Sequence, residues 1–154
     1  MHIHFICTGN VFRSRLAEAY LRSLKHPKIS KVSSSGIQAS HNKWGPITWY
    51  AARIINNYNL HSFVTHTWSE TTDDQIRNAD VIIFIDKSHF DHVAKKHNLE
   101  NKTYEIWNIP DLGEFGFTKD KISFTDDNKR MRLAEEIFKE IQKKVNSLLK
   151  KLET

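Results

Sequence analysis

Cys7, Arg13 and Ser14 are spaced so that one short loop can gather a nucleophile, a bidentate cation and a hydroxyl around a single anion. The segment Cys7-Thr8-Gly9-Asn10-Val11-Phe12-Arg13-Ser14 follows directly on the largely apolar run Ile3 to Ile6. A strand that passes through a small-residue turn into a helix leaves several backbone N–H groups pointing into one concavity, which suits an oxyanion. Cys7 lies at the rim of that cup. The N–H groups, the helix N-terminus and the Arg13 guanidinium all favour its thiolate, the nucleophilic form of cysteine. Arg13 can grip two phosphate oxygens with its planar fork, and Ser14 can donate a hydrogen bond to the sulfur. Thr8, Gly9, Asn10, Val11 and Phe12 line the cup with backbone, and Asn10 suits it because asparagine tolerates the left-handed region. A lone cysteine is more often a small buried hydrophobe. What sets Cys7 apart is the combination of Gly9, Arg13 and Ser14 with a strand before and a helical pattern after.

A thiolate that attacks phosphorus also needs an acid for the leaving oxygen and later a base for water. Asp111, in Ile109-Pro110-Asp111-Leu112-Gly113-Glu114, is the candidate; its other reading is a turn residue after Pro110.

The elements that must position these groups alternate between strand and helix. His2 to Ile6 reads as a first strand, and Arg13 to Leu24 as a helix with Leu16, Ala17, Ala19, Tyr20, Leu21 and Leu24 at helical spacing. Lys31 to Ser34 is a short second strand. Pro46 stands near the start of a helix carrying Trp49, Ala52, Ile54 and Ile55. Thr72 caps a short helical turn, and Asp80 to Asp86 is a central strand, apolar on both faces. Ser88 caps a helix through Lys96, Tyr104 to Trp107 is a fourth strand, and Asp126 to Leu152 is a long amphipathic helix. Such alternation implies parallel pairing by right-handed crossovers. The fold class expected is therefore α/β, a small doubly wound, flavodoxin-like, four-stranded parallel sheet with helices on both faces. Ligands bind such sheets beyond the carboxyl ends of the strands, where Cys7 falls.

Cys-x5-Arg-Ser behind a hydrophobic strand at this position resembles the low-molecular-weight protein tyrosine phosphatase family. Ser34-Ser35-Gly36 and Ala79-Asp80 through Asp86-Lys87-Ser88-His89 resemble further segments of that family, so the likeness covers nearly the whole chain. It implies a phosphatase that hydrolyses phosphotyrosine or aryl phosphate monoesters through a cysteinyl phosphate, releases inorganic phosphate, and uses no cofactor and no metal. It also implies that Asp111 is the general acid and that Asn10, Ser14, Ser34 and His66 form a network supporting the loop. The departures bear on the substrate cleft. The family's aromatic residue two positions after the acid is replaced by Gly113, leaving Phe115 or Phe117 to supply that wall; His41 and Trp44 fall near the position of the other cleft aromatic. Phe12 replaces a second loop cysteine, Arg15 stands where proline usually follows Arg-Ser, and the segment after His66 lacks its usual arginine. The alternatives are a phosphate- or phosphotyrosine-binding regulatory module with impaired catalysis, and an arsenate reductase using an external thiol.

Composition narrows the class. The chain has 154 residues, 39% of them hydrophobic, and no linker or repeat divides it, so residues 1–154 read as a single domain. One cysteine rules out an internal disulfide framework and suits a reducing compartment. No long apolar stretch marks a signal peptide or a membrane span, and the expectation is a cytoplasmic monomer. The net charge of +5 attracts anions. Much of the excess lysine lies on the terminal helix among glutamates, as on a solvated face, so no nucleic-acid partner is implied. His89, His92 and His97 read as surface residues.

Overall fold

The computed structural model describes residues 1–41, 45–115 and 124–154, and of residues 114, 115 and 124 the backbone only. Four strands, β1 (His2–Cys7), β2 (Lys31–Gly36), β3 (Val81–Phe84) and β4 (Thr103–Ile106), form one parallel sheet in the order β2-β1-β3-β4. Helices α1 (Arg13–Ser23), α2 (Trp49–Asn57) and α5 (Phe124–Glu153) cover one face; α3 (Asp73–Asn78) and α4 (Lys87–Lys96) cover the other. This is the doubly wound α/β arrangement expected from the alternation.

The period of two decides which side chain meets which layer. Ile3, Phe5 and Cys7 of β1 join Val81, Ile83 and Ile85 in the larger core, against Leu16, Ala17, Ala19 and Leu21 of α1 and Ala134, Ile137, Phe138, Ile141, Val145 and Leu148 of α5. Ile6, Ile82 and Phe84 face the smaller core with Ile76, Ala79 and Val93. On that second face His2 and His4 also point inward, and His4 has no exposed surface. Buried polar groups must be hydrogen-bonded, and these are, in one line. His2 Nδ1 donates to the Asn78 carbonyl (3.0 Å), leaving Nε2 to accept from Ser33 Oγ (2.7 Å). Ser33 Oγ lies 2.7 Å from His4 Nδ1, and His4 Nε2 is 2.8 Å from Ser35 Oγ, itself 2.7 Å from Thr71 Oγ1.

Several boundaries differ from the sequence expectation. β2 runs on to Gly36, because its parallel partner β1 runs to Cys7 and the two ends pair. β3 ends at Phe84 and frees Asp86, not Ser88, to cap α4: its carboxylate accepts from Ser88 N at 3.2 Å while the His89 ring accepts from Asp86 N. β4 begins and ends one residue earlier than expected. α2 starts at Trp49, after extended Thr48, and buries Ala51, Ile54 and Ile55, leaving Trp49 and Ala52 toward solvent. Thr72 caps α3 in a reciprocal pair with Gln75, as its sequence position suggests.

Candidate active site

The described parts of the loops that follow the strands' carboxyl ends lie together at one edge of the sheet. β1 delivers Cys7, the residues after it turn, and α1 begins at Arg13. For the turn to present N–H groups inward, its carbonyls must be satisfied outside. Each of five finds a donor there. Cys7 O accepts from Ile37 N and Thr8 O from Gln38 N (both 2.9 Å), Val11 O from Thr48 N (3.1 Å), Phe12 O from Leu16 N (3.0 Å), and Asn10 O from Arg15 Nη1 (3.4 Å). In a trans peptide the C=O and the following N–H point opposite ways, so these bonds turn the N–H groups of Thr8, Gly9, Val11 and Phe12 toward the cup. Asn10 takes φ 56°, the left-handed conformation foreseen for it, and its own N–H meets Cys7 Sγ at 3.3 Å. Gly36 lets β2 press against the turn: a Cβ there would lie 2.5 Å from Thr8 O and 2.8 Å from Asn10 N.

Cys7 is 3% exposed, and its Sγ lies 2.8 Å from Ser14 Oγ. Because Ser14 Oγ accepts from Asn10 Nδ2 (2.9 Å), its hydrogen is available to a thiolate. The same Asn10 amide donates to Ser34 Oγ (2.8 Å), and its oxygen accepts from Ser69 N (3.0 Å). Ser34 Oγ in turn donates to Glu18 Oε2, whose partner oxygen pairs with Arg22 at 2.9 Å. Burial raises the Glu18 carboxyl above its ordinary range, opposed by the Ser34 bond and Arg22. Asn10, Ser14 and Ser34 are thus brought together. His66 is not: it is exposed and, among the described residues, makes no hydrogen bond to them. That expectation is corrected, because the chain turns so that Ser69 N, three residues on, meets Asn10.

Arg13 is buried at 4% exposure; Nη1 donates to Ile109 O (2.8 Å) and Nη2 lies 3.5 Å from Asp111 Oδ2. The loop carrying Asp111 is fixed by buried Trp107, Ile109 and Leu112. Trp107 N and Ile109 N also reach Phe84 O and Ile85 O (both 2.9 Å), extending the parallel pairing past β4. Asp111 Oδ1 accepts from Leu112 N at 2.8 Å, and the side chain is 44% exposed, so the carboxyl faces both the cation and solvent.

Four supporting residues escaped the sequence reading. Glu18, Ser69 and Arg15 carry no motif that marks them in a single chain. His89 was read as a surface residue and is corrected: it is 1% exposed, and its Nε2 lies 2.9 Å from Thr8 Oγ1. Since Nδ1 accepts from Asp86 N (3.0 Å), Nε2 carries the hydrogen and donates to Thr8. Burial, helped by the Arg13 charge, lowers its pKa to about 3, so the ring is neutral. The signal for it was its place three residues into the helix behind the central strand.

His41 is exposed in a single 3-10 turn (Ala39–His41) after β2. Trp44 and Phe117 lie outside the described residues, as does the side chain of Phe115, whose backbone ends a 3-10 turn over Leu112–Phe115. The described aromatic beside the cup is Tyr50, edge-on to Phe12 with ring centroids 4.9 Å apart. Among the described residues, no group of three or more His, Cys, Asp or Glu could hold a metal ion.

A family model described as "Low molecular weight phosphotyrosine protein phosphatase" matches residues 2–154. A low molecular weight phosphotyrosine protein phosphatase of Dictyostelium discoideum is 30% identical over 138 residues, 79% of this chain and 76% of that protein. A protein-arginine-phosphatase of Bacillus subtilis is 31% identical over 98 residues, covering 62% of this chain and 63% of that protein. Among solved structures, an arginine phosphatase from Geobacillus stearothermophilus shares the fold, with TM-score 0.72, 19% identity and coverage of 97% of this chain and 94% of that one.

Proposed function

The chain belongs to the low molecular weight phosphotyrosine protein phosphatase family, a family of hydrolases, and on that premise we propose that it hydrolyses phosphate monoesters in two steps with Cys7 as nucleophile. The Cys7 thiolate attacks phosphorus, forming the S–P bond as the P–O bond to the leaving group breaks, and Asp111 gives its proton to the departing oxygen. Water then attacks phosphorus and passes its proton to the Asp111 carboxylate, the S–P bond breaks, and inorganic phosphate leaves with the thiolate restored. The loop N–H groups and Arg13 hold the three non-bridging oxygens throughout. The observation that carries this reading is Cys7 Sγ between Ser14 Oγ at 2.8 Å and Asn10 N at 3.3 Å, in the loop whose Arg13 lies 3.5 Å from Asp111. Ser14 stabilises the sulfur anion when it departs.

The substrate class proposed is a phosphotyrosine protein or a small aryl phosphate. The Bacillus relative's name makes protein phosphoarginine the second substrate to test. We place the enzyme in the cytoplasm as a single-domain monomer; no helix among the described residues is long and apolar enough to cross a membrane. The test is steady-state hydrolysis of an aryl phosphate by wild type, Cys7→Ser and Asp111→Asn. Turnover should vanish in the first variant and fall by roughly 10²–10⁴-fold in the second. Undiminished turnover in either would remove that residue from its role, and phosphate binding without wild-type turnover would favour a binding module.

A further inference from the structure

Among the described residues, Arg15 is the largest of the fully buried side chains, 2% exposed, and no carboxylate there is bonded to its guanidinium. Its fork ends instead on three backbone carbonyls from three separate stretches: Asn10 O in the phosphate loop (3.4 Å), Pro46 O (3.1 Å) and Thr65 O. Burying a cation whose bonded partners are all neutral carbonyls is costly, and burial does lower this group's affinity for its proton, opposed by the nearby charges of Glu18 and Cys7. A side chain with five N–H donors in a fixed plane is the one that can join three carbonyls at once.

We propose that Arg15 is a positioning residue that aims the Val11 N–H into the phosphate cup and ties the cup to the stretches 45–48 and 64–69 beside it. The first part follows from the peptide between Asn10 and Val11. Its carbonyl is drawn outward to Arg15, so its N–H points the other way, toward the bound anion. Ile37, Gln38 and Thr48 orient the neighbouring peptides through backbone bonds. For Asn10 O the donor is a side chain, and that donor also holds Pro46 and Thr65. The stretch at 45–48 is joined to the cup a second time, because Thr48 N donates to Val11 O, and 64–69 likewise, because Ser69 N donates to the Asn10 side chain. Ordering of the cup by an anion is therefore transmitted to both stretches. This inference rests on the phosphatase reading for the identity of the anion.

The probe is inorganic phosphate, used with the full chain. In wild type, phosphate should shift the Val11 amide resonance and slow hydrogen exchange at Ile47 and His66, the amides that follow the Pro46 and Thr65 carbonyls. In Arg15→Met, which keeps an apolar stem and loses every donor, the inhibition constant of phosphate should rise about tenfold or more. The Val11 shift and the distant protection should disappear, and Arg15→Lys should fall between. A variant that is less stable yet binds phosphate as wild type does, with the Val11 shift intact, overturns the proposal. So does wild-type protection confined to residues 7–14, a result that does not depend on any variant folding. Phosphate binding with Cys7-dependent turnover in either case leaves the functional reading standing. Neither phosphate binding nor turnover in wild type would overturn that reading and this inference together.

Discussion

Cys7 depends on neighbours that keep one another oriented. The Asn10 amide spends both of its ends, on Ser14 and Ser34 through nitrogen and on Ser69 N through oxygen, so the hydroxyl beside the sulfur has one direction left in which to donate. The residue next to that arrangement carries a chemical consequence. Phe12 is part of the loop and Cys7 is the only cysteine in the chain, so a sulfenate formed at Cys7 has no thiol partner within the molecule to trap it as a disulfide. Oxidation can proceed to the sulfinate, which thiols do not reverse. Prolonged peroxide treatment should therefore abolish aryl phosphate turnover with little return on adding dithiothreitol, and mass spectrometry should find two added oxygens on the Cys7 peptide. Full recovery would contradict this.

At the scale of elements, the site is a junction of strand ends, where β2 comes close against the turn after β1. Gly36 is the residue that allows it. A methyl group there would meet Thr8 O, Asn10 N and the Gly9 carbonyl carbon at 2.5, 2.8 and 2.9 Å, all of them backbone that cannot swing aside. Gly36→Ala should therefore push the turn away from the strand, costing about 1–3 kcal/mol of stability by overpacking. Because the N–H groups move with the turn, kcat/KM for an aryl phosphate should fall more steeply than stability does, by about 10²-fold, in line with the effect of ångström-scale misplacement. Thermal unfolding and kinetics on the same preparation would check it; an unchanged kcat/KM would show that the turn is not held by this contact. α4 contributes from the other side, where Asp86 caps the helix and fixes the His89 ring that reaches Thr8.

For the whole molecule, buried neutral imidazoles set much of the response to acid; burial lowers His2 as well, and His4 and His89 are shifted furthest. His4 and His89 both have pKa values of about 3 in the folded protein, against 6.5 for an exposed histidine, with burial the main cause in each. A lowered pKa means that the unfolded chain binds the protons first. The stability these rings contribute is complete above about pH 6.5 and is lost as the pH falls toward 3. Two such groups give a slope of up to about 2.7 kcal/mol per pH unit inside that window. Glu18, raised by burial, opposes part of it toward the acid end. Denaturant unfolding should give a plateau above pH 7 and a steady decline from pH 6.5 to 5; a flat profile over that range would mean that the rings are not held neutral.

Residue order along the chain was enough to bring the reactive groups of the turn after β1 together and to set the layer order of the fold. Cys7, Asn10, Arg13 and Ser14 lie within one turn and the helix that follows it, so their spacing along the chain nearly fixes their spacing in space. The alternation of apolar strands and amphipathic helices likewise leaves few ways to bury those faces other than a parallel sheet between helical layers. Tertiary structure decided what braces the loop. The bonds from Ser69 N to Asn10, from Arg15 to Thr65 O and from His89 to Thr8 join residues that are 59, 50 and 81 positions apart in the chain. Two of them use a backbone group, which looks the same at every residue, so no side-chain pattern announces them. His66 was expected from the family resemblance alone, and the path of the chain placed the Ser69 backbone N–H against Asn10 instead. His89 resembled its surface neighbours until the packing of α4 against β3 turned it beneath Thr8, where removal from water keeps it neutral.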